Sequence, residues 1–97
     1  MATSKLATFL KKSRENSGLS QNKVGDLLGY STAQFISNWE RGISHPPVDS
    51  LKKIAHLYGI SDKDLFEAVQ EAAIEEVKEN LKRKFAKSAK NIKGLKA

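Results

Sequence analysis

Gln34, Ser37, Asn38 and Arg41 stand at positions i, i+3, i+4 and i+7 of one another, the spacing of a single helical face. Their groups are two amides, a hydroxyl and a guanidinium, with no carboxylate among them. Such groups hydrogen-bond to base edges and to phosphate oxygens. A soluble helix also carries a polar face for no other reason than solvation, so polarity leaves both readings open. Other chemistries have less behind them. The chain has two histidines, His45 and His56, and no cysteine. No His/Asp/Glu group has metal-ligand spacing, and there is neither a phosphate-binding glycine loop nor a Ser/His/Asp set. The acids between 62 and 79 read as a solvated helix face. We therefore expect no enzyme, no cofactor and no metal.

The elements that must position that polar face are set by glycines and short capping residues. Ninety-seven residues, 39% hydrophobic and 29% charged, suit one small folded domain with one core. Leu6, Phe9, Leu10 and Ser13 have helical spacing, Thr3 or Ser4 can cap their start, and Gly18 follows as a stop. Ser20 caps a second helix carrying Val24, Leu27 and Leu28, closed by Gly29. Ser31 or Thr32 opens a third, about 32–41, with Ile36, Trp39 and Phe35 on its apolar side and Gly42 at its end. Pro47 or Val48 opens a fourth, with Leu51, Ile54, Ala55 and Tyr58 inward and Gly59 as its stop. Ser61, with Asp64 three residues on, opens a fifth. The connections are expected to be two to five residues long, and no strand is indicated. The expected fold is all-α: a compact five-helix domain with an extended C-terminal helix and a basic tail.

Helices two and three, short and joined by the turn around Leu28-Gly29-Tyr30-Ser31, have the helix-turn-helix layout. The stretch L-K-K-S-R-E-N-S-G-L-S-Q-N-K-V-G-D-L-L-G, then I-S-N-W-E-R-G, then P-P-V-D-S-L-K-K-I-A-H-L-Y-G-I-S-D-K-D-L-F, resembles the Cro and phage-repressor (Xre-like) helix-turn-helix family over about residues 5–66. The resemblance implies an architectural ion pair between Arg14 and Glu40. It implies a phosphate contact from Gln21, with Asn22 beside it. Thr32, Ala33 or Gln34 leads into the DNA groove, Gln34, Ser37 and Asn38 read bases or touch phosphate, and Arg41, Ser44 and Lys12 contact the backbone. Gln34 is the leading base reader, because its amide can bind adenine through two hydrogen bonds. The segment from Gly29 to Ile36 is one residue longer than the common family pattern, which implies a wider turn. Gly25 stands where the family prefers alanine, and a small residue there permits close approach of helix three.

The net charge of +6 is unevenly placed. Residues 61–80 are acidic, whereas 81–97 hold seven basic residues and no acid. A basic chain suits a polyanionic partner. Between 61 and 88 there is neither proline nor glycine, so helix five should run on. Leu65, Phe66, Val69 and Ala73 are expected to pack on the domain. Ile74, Val77, Leu81 and Phe85 form a second stripe in steps of three, four and four, which is not a heptad. That stripe either dimerises or folds back on the domain, and residues 67–88 are the candidate surface for a protein partner. Residues 89–97, with Lys90, Lys93, Gly94 and Lys96, form the expected basic tail.

These readings converge on a sequence-specific, double-stranded-DNA-binding transcriptional regulator, expected to act in the cytoplasm as a homodimer on a palindromic operator. Alternatives are the DNA-binding antitoxin of a toxin–antitoxin pair and an adaptor that keeps the fold without specific DNA binding. No apolar run is long enough to span a membrane, and the N-terminus lacks the pattern of a signal peptide.

Overall fold

The computed structural model describes residues 4–92. Among the described residues there are five α-helices and no strand. Lys93, Gly94, Lys96 and the alternative cap Thr3 lie outside them.

Helix α1, Lys5–Asn16, is capped by Ser4, whose hydroxyl accepts the Ala7 N–H at 3.0 Å. Helix α2, Gln21–Leu28, starts the same way: the Ser20 hydroxyl accepts the Lys23 N–H at 3.0 Å. In both cases one of the unpaired donors of the first turn is satisfied. Gly29 then leaves α2 at φ +86°, a left-handed conformation in which a Cβ would be strained. Helix α3 is Gln34–Glu40, narrower than the expected 32–41. The Thr32 hydroxyl accepts the Gln34 N–H at 2.9 Å, which holds 32 and 33 in the turn. The residue at the cap position is Ala33, which has no side-chain oxygen to offer. The turn Gly29–Ala33 is correspondingly wide.

After α3 the chain takes seven residues, 41–47, before a 3₁₀ turn at Val48–Ser50 leads into α4, Leu51–Tyr58. This connection is longer than expected. It is fastened to the last helix by His45, whose Nε2 lies 3.2 Å from a Glu76 carboxylate oxygen. Helix α5, Asp62–Ser88, is capped by the Ser61 hydroxyl accepting the Asp64 N–H at 3.2 Å, and a 3₁₀ turn, Ala89–Ile92, follows it.

One core joins all five helices: Leu6 and Leu10 of α1, Val24 of α2, Ile36 and Trp39 of α3, Leu51, Ile54 and Tyr58 of α4, and Leu65 and Val69 of α5. Two expected core positions of α5 are exposed, Phe66 and Ala73; Ala68 and Ala72 pack there instead. At about 100° per residue, 65, 68, 69 and 72 share a face that 66 and 73 leave. Past Glu76 every residue from 77 to 89 is exposed. The helix projects from the domain rather than folding back, and the molecule measures 62 × 26 × 24 Å.

Gly25 sets how closely α3 approaches α2. A Cβ built on it would sit 3.0 Å from the Thr32 carbonyl oxygen, which is backbone and cannot swing aside. A branched side chain must push the turn outward. Gly25→Val is expected to destabilise the domain by about 1–3 kcal/mol, the usual cost of overpacking. Urea unfolding followed by circular dichroism measures this; an unchanged midpoint would mean that the turn yields freely.

Candidate nucleic-acid interface

Helix α3 is placed by what it buries. Ile36 and Trp39 point into the core, at 0% and 2% exposure, so the opposite face must turn outward. That face carries Gln34 and Arg41, both exposed, and Ser37 and Asn38, both half-buried. Its side chains are already ordered. The Gln34 amide nitrogen donates to Asn38 Oδ1 at 2.9 Å, and an Arg41 Nη donates to the same oxygen at 2.9 Å. One acceptor thus collects both arms. The donors left over are the second N–H of Gln34, the amide N–H groups of Asn38 and the other N–H groups of Arg41. Thr32 is exposed and Ala33 half-buried at the N-terminal end of this face.

A second network braces α3 from behind. Arg14 Nε donates to Glu40 Oε2 at 2.6 Å and an Arg14 Nη to Oε1 at 3.0 Å. The other Nη donates to the Leu19 carbonyl at 2.7 Å. The paired side chains are only 11% and 3% exposed. The hydrogen bond to Glu40 holds the Arg14 guanidinium above its ordinary pKa, against the opposing effect of burial. Gln21 joins the network, its amide nitrogen donating to Glu40 Oε1 at 3.0 Å. The start of α2 and the end of α3 are therefore tied to each other and to α1. An amide nitrogen has two hydrogens, so Gln21 keeps one free while Glu40 holds its orientation. Asn22 is exposed next to it, Ser44 is half-buried in the connection after α3, and Lys12 is exposed on α1.

Two features are not visible in the sequence spacing. Gln21 reaches Glu40 across 19 residues, a contact that only the tertiary fold creates. Phe35, expected on the apolar side of α3, is 52% exposed. It lies about 100° from both Gln34 and Ile36 on the helix, and its ring packs on Tyr30 with centroids 4.7 Å apart. The pair puts an apolar edge beside Gln34, of a kind that can meet a thymine methyl group.

Tyr58 lies behind this brace. Burial, reinforced by the Glu40 charge and partly offset by Arg14, pushes its phenol from 10.0 to about 12. The folded state holds that proton more tightly than the unfolded chain does. The associated stability is complete below the unfolded value and is lost as pH rises through the folded one. Between pH 10.0 and about 12 the domain should lose roughly 1.4 kcal/mol per pH unit from this group. Tyr58→Phe should remove that part of the alkaline slope. Parallel urea titrations of parent and variant across the window test this, and equal slopes would exclude Tyr58 as the cause.

Among the described residues no three His, Cys, Asp or Glu side chains are grouped to hold a metal ion. No described helix is long and apolar enough to cross a membrane.

A family model described as helix-turn-helix matches residues 10–65, more than half of the chain. The chain is also 32% identical, over 68 residues, to an HTH-type transcriptional regulator, DdrOP3, of Deinococcus deserti. That match takes in 68% of this chain and 50% of the relative, so the chain spans about half the relative's length. No solved structure matches it significantly.

Proposed function

The chain belongs to the helix-turn-helix family of the Cro and phage-repressor type, and from that premise we propose that it is a sequence-specific transcriptional regulator that docks α3 in the major groove of DNA. The observation that carries this reading is the acid-free face Gln34–Ser37–Asn38–Arg41, whose side chains converge on Asn38 Oδ1. Gln34 leads the face and reads adenine through its amide. Ser37 and Asn38 follow it along the groove, with Thr32 and Ala33 at its entrance. Gln21, Asn22, Arg41 and Ser44 hold phosphates, Gln21 with the N–H that Glu40 leaves free. The N-terminus of α2 supports an anion there, since its unpaired N–H groups and dipole favour negative charge. The protein works as a homodimer in the cytoplasm. Its operator is a palindrome with half-sites about 10 bp apart, or a multiple of that.

Selection from a pool of random duplex DNA at physiological salt, followed by sequencing of what is retained, tests the proposal. An enriched two-fold repeated sequence supports both specific reading and the dimer. A single unrepeated motif keeps the specificity and removes the dimer. Retention without enrichment, lost as salt rises, leaves only phosphate attraction and overturns the proposal.

A further inference from the structure

The outer face of α5 carries five large apolar side chains that stand outside the core: Phe66, Ile74, Val77, Leu81 and Phe85, from 45% to 82% exposed. At about 100° per residue they form one stripe, turned almost opposite to the buried Leu65, Ala68, Val69 and Ala72. At about 1.5 Å per residue it extends some 29 Å. An uncovered stripe of this size is the signature of an interaction surface.

Its pattern says what covers it. Read in the reverse direction, four of the five positions match: Phe66 falls opposite Phe85 of a second copy and Ile74 opposite Val77, while Leu81 falls opposite Gln70. On one flank Glu67 and Glu71 precede Lys78 and Lys82. In a two-fold antiparallel helix pair each flank faces the same flank of the other copy, reversed. Glu71 then comes within about half a helical turn of both lysines, and Glu67 within the same distance of Lys82. Within its own helix Lys82 has only an exposed contact of 3.8 Å to Glu79, worth little and readily exchanged. A parallel pair would instead set Lys82 against Lys84 of the other flank, about 3 Å along the axis. We infer that the occupant is a second copy of this chain, packed through α5 in antiparallel orientation and centred between Glu75 and Glu76. This rests on the dimer proposed above and specifies its interface and direction.

The full chain tests the inference, because the stripe is exposed and its substitution leaves the core untouched. Sedimentation equilibrium should show a dimer. Ile74→Glu and Leu81→Glu should each raise its dissociation constant by about 100-fold or more, since every dimer loses the residue twice, while far-UV circular dichroism stays that of a folded helical chain. The absence of cysteine from the sequence allows direction to be read by cross-linking. A Glu67→Cys chain mixed with a Lys82→Cys chain should give mainly the mixed disulfide on oxidation. A predominance of either self-pair, or a dimer that survives both glutamate substitutions, overturns the antiparallel α5 interface. In the latter case, selection of a two-fold repeated DNA sequence by the variants would leave the dimeric regulator standing on another interface. A parent chain that sediments as a monomer and selects an unrepeated motif removes both.

Discussion

Glu40→Ala should destabilise the domain by about 3–5 kcal/mol, the cost of leaving a charge buried without its partner. With its side chain 11% exposed, Arg14 has little access to water, and two of its donors lose their acceptors. The Gln21 amide loses one as well. Set against the 5–15 kcal/mol that holds a typical domain, such a loss is a large fraction of the whole. Arg14→Ala should cost about as much, because it strands the carboxylate and removes the donor to the Leu19 carbonyl. The pair is not a source of stability in itself, since removing two charges from water consumes most of what their attraction returns. Arg14→Met combined with Glu40→Leu should therefore be less damaging than either alanine change. Urea denaturation of the parent, both single variants and the double variant gives the comparison. Single losses below about 1 kcal/mol, typical of solvated pairs, would mean that this pair does not brace α3.

The helix starts were legible because their signals are local. Ser4, Ser20 and Ser61 each accept the N–H three residues on, and Gly18, Gly29, Gly42 and Gly59 all have φ between +66° and +86°. Both signals depend on a few neighbouring residues and survive in the sequence. The start of α3 depends on a different local bond, from Gln34 N–H to the Thr32 hydroxyl, which competes with helix and so reads as a cap one residue early. Phe35 was ambiguous for a related reason. Seven residues make barely two turns, so adjacent apolar positions cannot all be assigned to one face until the neighbouring helices are placed. Helix α5 presents the same problem at larger scale. Its two apolar stripes, 65–72 and 74–85, both obey helical spacing. Nothing in that spacing says which one the domain covers and which it leaves out. The polar face of α3 was readable because Ile36 and Trp39 fix the inward direction. Its internal bonds were not, since side-chain torsions leave no trace in spacing.

Gln34→Ala should weaken binding to the selected operator about 5- to 150-fold, the equivalent of roughly 1–3 kcal/mol for one two-point base contact. It should also make one or two base pairs of each half-site permissive. Scrambled DNA should be bound almost as before, because its affinity comes from phosphate contacts that the substitution leaves in place. Gln21→Ala provides the contrast: operator and scrambled DNA should weaken together, and it should also cost some stability by releasing one acceptor site on Glu40. Part of the Gln34 effect will come through its neighbours. In the free protein its amide shares Asn38 Oδ1 with Arg41, so alanine also loosens Asn38. The experiment is a pair of titrations per variant, operator and scrambled duplex, at fixed salt. A Gln34 variant that loses the same factor on both DNAs would show that this side chain positions rather than reads. The reading would then fall to Asn38, the residue on which both neighbours converge.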